Sequence, residues 1–232
     1  MKAQRLRLTF ARGGEARELS HLEVTRALEL AMRQAQIPLA YSEGKRPTAQ
    51  ISVAAPLPQG VTSECELADV FLSERMEPAR FLAALRANMP AGLEALCCHE
   101  IGVALRALQT QVRWAEYEVD VTRDKRSPKD VCGAIAHLLA ARTLPWEHRR
   151  ETKVHRYDLR PLVLALRLET EGEGFFRLEM RLRIDQERSG RADQVVAALG
   201  LEPPLRIHRR RLYVEQTPPA VSAYRRLVES GD

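Results

Sequence analysis

Residues 19–58 read LSHLEVTRALELAMRQAQIPLAYSEGKRPTAQISVAAPLP and combine a helix start, a helix stop, a polar loop and a strand. Ser20 and Glu23 have the spacing of a capping box, which predicts a helix that begins at His21. Ile37-Pro38 predicts the end of this helix, because proline cannot continue it. The loop that follows carries four polar side chains: Tyr41, Ser42, Lys45 and Arg46.

His21 is the histidine whose setting favours chemistry. The first position of a helix lies beside unpaired N–H groups and the positive end of the helix dipole, which suits an anion and disfavours protonation of an imidazole. A neutral imidazole near Tyr41, Lys45 or Arg46 can act as an acid–base catalyst on a phosphodiester, or simply hydrogen-bond a phosphate. The alternative is a helix cap followed by an ordinary surface loop, and the sequence leaves both interpretations open.

The chain is basic and rich in arginine. Its 232 residues carry a net charge of +5, and 31 of the 36 basic residues are arginines. Arginine is well suited to bidentate phosphate contacts, but such usage can equally reflect genomic base composition or a warm habitat. Acidic residues are interspersed almost throughout. The composition therefore permits a nucleic-acid partner without requiring one.

The cysteine and glycine patterns argue against several enzyme classes. Cys65, Cys97, Cys98 and Cys132 form neither C-x-x-C nor the C-x-x-x-C-x-x-C of a radical SAM cluster, so we expect no metal and no cofactor. Motifs for nucleotide cradling and serine hydrolysis are also absent from the sequence. With no signal peptide and no apolar run near the ~20 residues of a membrane span, the sequence predicts a soluble, cytoplasmic protein.

The order of predicted elements repeats along the chain. Strand, helix, strand, strand, helix, strand can be assigned over residues 5–101 and again over residues 114–214, with residues 148–155 interpreted as a basic solvated segment. Two β-α-β-β-α-β units predict an α+β fold of tandem ferredoxin-like halves with antiparallel sheets. The predicted units are an N-terminal half, a C-terminal half and a tail, with boundaries at 1–105, 106–216 and 217–232. A short helix around Ser222–Val228 is an option within the tail.

Arginines alternate with apolar residues on several predicted strands. In Phe175–Asp185, for example, the apolar side chains face inward and the outward positions are Arg and Glu. Ferredoxin-like sheets can present one open face, which RNA-recognition modules use with aromatic side chains. Because those aromatics are missing from the outward positions, the pattern favours contact with phosphates or with a protein partner over base reading, and plain solvation is the alternative. The predicted RNA-binding residues are eight arginines: Arg5, Arg7, Arg177, Arg181, Arg183, Arg209, Arg210 and Arg211.

Several short motifs occur in a fixed order, namely RLRLTF at 5–10, LSHLE at 19–23, LAYSEG at 39–44, ISVA at 51–54 and DLRP at 158–161. Together they resemble the bacterial radical SAM-linked protein family, a domain of unknown function that occurs beside or fused to radical SAM proteins with a cobalamin-binding-like region. The resemblance implies a radical SAM protein as partner, and it carries over no catalytic residue because the family's own activity is unassigned. The predicted substrate-binding residues combine the motifs with the polar loop: Ser20, His21, Tyr41, Ser42, Lys45, Arg46, Asp158 and Arg160. Residues 45–50 depart from the family's usual loop, which leaves the chemistry of this loop open.

On these grounds we predict a non-catalytic companion of a radical SAM enzyme that docks on that enzyme and helps to present a substrate, such as tRNA or rRNA. One alternative is a metal-independent RNA-processing endonuclease that uses His21, although Leu201–Val214 lacks the glycine-rich loop typical of such nucleases. Another is a protein-only adaptor whose arginines serve ion pairs and solubility. Steep salt dependence of RNA binding would favour phosphate contact over the adaptor.

Overall fold

The computed structural model describes residues 2–123, 125–150, 153–184 and 189–215. The four α-helices in these ranges are α1 (His21–Gln34), α2 (Pro78–Arg86), α3 (Pro128–Ala140) and α4 (Ala192–Ala198). The ten strands are β1 (Gln4–Arg12), β2 (Ile51–Val53), β3 (Thr62–Leu72), β4 (Leu93–Ile101), β5 (Val112–Thr122), β6 (Pro145–Arg150), β7 (Lys153–Asp158), β8 (Val163–Gly172), β9 (Phe175–Arg183) and β10 (Arg206–Val214). The predicted tail, with its optional helix around Ser222–Val228, lies outside the described residues.

Eight of these strands form one sheet. Its order is β4-β1-β3-β10-β5-β9-β8, and β2 pairs with β3 beside this path. The pairing between β3 and β10 is parallel and short, joining Thr62 and Ser63 to His208 and Arg209, whereas the other pairings in the sheet are antiparallel. The prediction of an α+β fold with a mostly antiparallel sheet is confirmed.

The helix starts follow directly from residue type. At α1 the Ser20 hydroxyl accepts a hydrogen bond from the Glu23 backbone N–H (3.3 Å), and the Glu23 carboxylate accepts one from the Ser20 N–H (2.7 Å). Ser127 and Asp130 make the same reciprocal contacts at α3, where proline occupies the first turn. Both capping boxes satisfy N–H groups that a helix start would otherwise leave unpaired.

Two hydrophobic cores lie under the helices. The first is built from β1, β3, α1 and α2, and includes Leu6, Leu8, Phe10, Leu28 and Phe81. The second is built from β5, β9, α3 and α4, and includes Val119, Ile135, Phe176, Leu178 and Val195. The opposite face of the sheet, called the open face below, carries mostly charged side chains.

Strand β10 shows that the two cores share one side of the sheet. Arg209 of β10 is 1% exposed and binds Glu66 of β3 on the helix side. The next residue, Arg210, binds Glu64 of β3 and Glu118 of β5 on the open face. The sheet is therefore continuous across the two halves, with a helix side and an open face.

Residues 148–150 pair with residues 153–155 in a hairpin, and the exposed side chains of Val154 and His155 agree with the interpretation of this segment as solvated. β6 and β7 pair as an antiparallel hairpin in which Trp146 lies opposite Tyr157, and both aromatic side chains pack against the second core. These two partly buried rings give the hairpin the apolar contact that its charged residues lack. No helix in the described part of the chain is long and apolar enough to cross a membrane.

Candidate nucleic-acid interface

Charged side chains pair across the strands of the open face. Arg177 of β9 donates two hydrogen bonds to Asp120 of β5 (2.6 and 3.0 Å), and Arg181 of β9 donates two to Glu116 of β5 (3.1 and 2.7 Å). Burial disfavours a charged Asp120, but the hydrogen bond from Arg177 and the charge of Arg206 outweigh it and hold the pKa of this carboxyl below its usual value. Aspartate 120 therefore stays ionised and fixes Arg177 on the sheet.

Arg210 extends this pattern to the N-terminal half. It lies between Glu118 of β5 and Glu64 of β3, with 2.7 Å between Arg210 Nε and the Glu64 carboxylate. Hydrogen bonds to both carboxylates raise the pKa of Arg210. Its neighbour Arg211 is held more loosely, since its side chain is 76% exposed and lies 3.9 Å from Glu116.

The open face also carries an aromatic stack. The rings of Trp114 on β5 and Tyr213 on β10 are parallel within 2°, with their centroids 4.7 Å apart. On the β9 side, the guanidinium of Arg181 lies 4.3 Å from the Trp114 ring centroid, a cation–π geometry. We call Arg181, Trp114 and Tyr213 the aromatic platform. The expectation that only Arg and Glu occupy the outward positions is therefore wrong.

Tyr213 forms the accessible end of the platform. It is 46% exposed, and its strand β10 pairs with β3 only at His208 and Arg209. Within the described residues, no strand pairs with β10 on the side of Tyr213 that faces away from Trp114. An aromatic ring with one face accessible in this way can accept a further planar group.

The placement of Arg5 and Arg7 on an RNA-accessible surface is wrong. Arg5 is 2% exposed and donates to the Asp69 carboxylate (3.1 and 2.5 Å) and to the backbone carbonyls of Leu105 and Arg106 (2.6 and 3.0 Å). Arg7 binds the same carboxylate (2.8 and 3.0 Å) with a side chain that is 12% exposed. Asp69 thus holds two arginines, and Arg5 ties β1 to the connection between the halves.

Arg209 was also predicted to bind RNA, and this prediction is wrong because its side chain is buried. Its guanidinium donates to both oxygens of Glu66 (2.9 and 2.6 Å) and to the backbone carbonyl of Ala55 (2.9 Å). Burial opposes its charge, but the Glu66 carboxylate and the hydroxyl of Tyr117 outweigh this and raise the pKa of Arg209. Of the eight predicted RNA-binding arginines, five remain accessible on the open face: Arg177, Arg181, Arg183, Arg210 and Arg211.

The predicted site at the start of α1 is exposed. His21 is an exposed side chain, and its backbone carbonyl accepts a hydrogen bond from the Thr25 hydroxyl (2.9 Å). The Ser42 hydroxyl closes the following loop by accepting from the Thr48 N–H (3.0 Å), while Ser20 serves as the cap of α1. The other three predicted side chains are exposed: Tyr41, Lys45 and Arg46.

Asp158 and Arg160 link the end of β7 to α3 and to the start of β8. One Asp158 oxygen accepts from the backbone N–H groups of Leu144 (2.7 Å) and Arg160 (3.0 Å). The Arg160 guanidinium donates to the carbonyls of Leu139 in α3 and Val163 at the start of β8. These contacts give both residues a structural role far along the chain from His21, in the other half.

Comparison with known sequences places the chain in a family. Residues 5–192 match the family described as "Uncharacterized protein conserved in bacteria (DUF2344)", and the chain belongs to it. No curated protein matches the sequence. The description of the family names no activity and no partner, so the radical SAM link stays a prediction.

Three solved structures show a partial similarity to the chain. They are a Cbf5–Nop10–Gar1 complex (8% identity, 89% of this chain and 48% of that chain, TM-score 0.49), an archaeal box H/ACA sRNP Nop10–Cbf5 complex (9%, 89% and 47%, 0.46) and an H/ACA RNP bound to a substrate RNA containing 2′-deoxyuridine (9%, 88% and 47%, 0.42). The chain spans about half the length of each of these matched chains. TM-scores below 0.5 are too low to support a functional inference.

Proposed function

We propose that this domain binds single-stranded RNA on the open face of its sheet. The observation that carries the proposal is the aromatic platform, in which Arg181, Trp114 and the accessible ring of Tyr213 lie in one row across three neighbouring strands. Proteins that bind single strands stack bases on aromatic side chains beside arginines that contact the phosphates. The platform combines these two features.

Arg211 is the arginine best placed to contact a phosphate. It is near Tyr213 on the same face of β10. Within the described part of the chain its one ion pair, to Glu116, is 3.9 Å long, and the Arg211 side chain is 76% exposed. Exposed ion pairs of this kind contribute at most about 1 kcal/mol. A phosphate can therefore replace Glu116 as the partner of Arg211 at little cost, while Arg177 and Arg210 stay fixed by their shorter pairs.

The ferredoxin-like character of the two halves is part of the proposal. The strand order supports it, being β4-β1-β3-β2 in the N-terminal half and β10-β5-β9-β8 in the C-terminal half, with the β6–β7 hairpin inserted after α3. Each half then contributes two helices on one side of the sheet. On the other side, Leu105 and Arg106 contact the buried Arg5 in the N-terminal half, whereas the platform of the C-terminal half is accessible at Tyr213. The proposed units are residues 1–105 and 106–216.

The experiment that tests RNA binding compares matched variants. Fluorescence anisotropy would give the affinity of a labelled oligouridylate of roughly 12 nucleotides, a length within the range of sheet-based single-strand sites. Since one base–aromatic stack contributes about 1–3 kcal/mol, Tyr213→Ala should weaken binding by roughly 5- to 150-fold. Leu205→Ala, which shortens an apolar side chain that is 64% exposed just before β10, is the control and should leave the affinity unchanged.

Two outcomes would count against the open face. One is an RNA affinity that does not respond to Tyr213→Ala. The other is a loss of affinity in Tyr41→Ala, which would move the RNA site to the loop after α1. Raising the salt concentration should weaken wild-type binding steeply. Arg211→Ala should reduce the slope of log affinity against log salt concentration by about one, which corresponds to the loss of one phosphate contact.

The companion role is the second part of the proposal: a non-catalytic, cytoplasmic partner of a radical SAM protein that presents RNA to it. Its support is the sequence resemblance together with the missing cluster motif. The exposed side chains of His21, Lys45 and Arg46 support a role in contacting the substrate. A pull-down of the tagged protein should recover a radical SAM protein together with tRNA or rRNA. Recovery of that protein without RNA would leave the adaptor role and refute the presentation of RNA.

A further inference from the structure

A cavity lies on the helix side of the sheet, where the two halves meet. Its volume is about 370 Å³, within the range of small-molecule sites, which often form at such junctions. One wall is the segment that connects β2 to β3, and the other includes Ser189, Gly190 and Arg191, which directly precede α4. The lining is largely apolar and includes Ala54, Ala55, Val61, Val112, Ile184 and Ile207.

Arg209 and Tyr117 supply polar groups to this apolar cavity. Arg209 uses Nε and Nη2 on Glu66 and Ala55, whereas Nη1 makes a single long contact of 3.5 Å to the Tyr117 oxygen. Tyr117 accepts in that contact, and no acceptor for its own proton occurs among the described residues. Burial raises the pKa of Tyr117, although the charge of Arg209 opposes this, so the hydroxyl keeps its proton. An N–H and an O–H can therefore donate to one ligand.

The buried charged groups near Arg209 and Tyr117 carry an excess of positive charge. Arg12 is 2% exposed and donates to four backbone carbonyls, and its hydrogen-bond partners among the described residues include no carboxylate. It interacts electrostatically with both Glu66 and Arg209. Glu18, the other carboxylate that interacts electrostatically with Arg12, is solvent-exposed and paired with Arg17. The two buried guanidinium groups, of Arg12 and Arg209, therefore share one buried carboxylate, that of Glu66.

The rim of the cavity adds no net charge. Arg191 donates two hydrogen bonds of 3.1 Å to Asp193, so these two charges offset each other. The excess of positive charge therefore remains at the buried end, beside Arg209. A buried unbalanced cation is costly in an apolar setting and is stabilised by a nearby anion.

We propose that this cavity binds a small, mostly apolar molecule that carries one carboxylate. The carboxylate accepts from Arg209 Nη1 and from the Tyr117 hydroxyl, and the apolar body of the ligand fills the space lined by Val61, Ile184 and Ile207. This site lies on the face of the sheet opposite the aromatic platform. The proposal of a ligand site therefore does not depend on whether the open face binds RNA.

Calorimetric titration with matched probes tests the proposal. Benzoate, phenylacetate and hexanoate would be compared with benzamide, phenylacetamide and hexanamide, which keep the shape and remove the charge. At least one carboxylate should bind about tenfold tighter than its amide, because hydrogen bonds to a charged acceptor are the stronger ones. Tyr117→Phe, which keeps the ring, should weaken carboxylate binding by roughly three- to tenfold and weaken amide binding less, because the amide oxygen is a neutral acceptor.

Two controls separate the cavity from surface arginines. Arg75→Ala removes a guanidinium whose side chain is 68% exposed in the N-terminal half and should not change carboxylate binding. Amide NMR shifts should concentrate at cavity residues such as Val61 and Gly190. The proposal is overturned if no carboxylate binds, if acids and amides bind equally, if Tyr117→Phe has no effect, or if the shifts map to exposed arginines. Tyr117→Phe is preferred to a change at Arg209, which would break a buried ion pair and risk unfolding.

Discussion

Asp69 is a buried residue whose neutralisation should destabilise the N-terminal half. Its carboxylate is fully buried and accepts four hydrogen bonds, two from Arg5 and two from Arg7. Asp69→Asn keeps the size of the side chain but leaves two guanidinium groups without their counter-ion. Removing one partner of a buried pair costs about 3–5 kcal/mol.

The structure places this variant at the lower end of that range. Arg5 retains the carbonyls of Leu105 and Arg106, and Arg7 is near enough to the surface to recover water. We therefore expect a loss of about 3 kcal/mol in the free energy of unfolding, which corresponds to roughly 6–12 °C in Tm for a protein of this size. Thermal unfolding followed by circular dichroism gives this value. Glu18→Gln, which neutralises an exposed pair with Arg17, should cost less than about 1 kcal/mol. Equal losses in the two variants would refute the claim that Asp69 holds β1 and the connection between the halves.

Two further predictions concern titratable side chains. His208 has its pKa lowered by burial and then by the charge of Arg206, although Glu64 opposes the shift. The folded protein therefore disfavours protonation of His208. The contribution of this side chain to the free energy of unfolding is present above its ordinary pKa of about 6.5 and is lost as the pH falls below that value. Wild type should lose more stability than His208→Gln in that window in urea titrations, and parallel pH profiles would rule this out. Among the cysteines, burial raises the pKa of Cys65 to about 11 and that of Cys98 to about 12, whereas Cys97 and Cys132 are exposed. At about pH 8 only about a thousandth of Cys65 is thiolate, so iodoacetamide should label Cys97 and Cys132 first. Peptide mapping that finds Cys65 labelled as fast as Cys132 would contradict the burial of that thiol.

The sequence was sufficient where a local pattern determines the structure. Ser20 with Glu23, and Ser127 with Asp130, define helix starts within four residues, so both capping boxes could be predicted from spacing. The alternation of apolar residues in β9 likewise predicts which side chains face the core. These signals operate over distances shorter than one element.

The sequence was insufficient where partners are distant. Glu66 and Arg209 are 143 residues apart, and Arg5 and Asp69 are 64 apart, so an arginine on an alternating strand cannot be assigned to a buried pair from its own strand. Arg5 and Arg209 are inaccessible to RNA because each forms a buried ion pair with a residue far along the chain, which the pattern of its own strand does not indicate.

The aromatic platform depends on an irregularity that the sequence does not reveal. Strict alternation along β10 would put Arg209, Arg211 and Tyr213 on one face. The register shifts between Arg209 and Arg211, so that Arg209 points to the helix side while Arg211 and Tyr213 lie on the open face. A β-bulge that re-aims side chains in this way is a tertiary feature.

The most direct test of the proposed function is ultraviolet crosslinking of the wild-type protein to an oligouridylate, followed by mass spectrometric mapping of the adduct. Stacked uracil bases crosslink to the aromatic side chain that they contact, so we predict an adduct on the peptide that contains Tyr213, and loss of that adduct in Tyr213→Ala. Adducts confined to the segment from His21 to Arg46, or no adduct at any RNA concentration, would contradict the assignment of the open face as the RNA-binding surface.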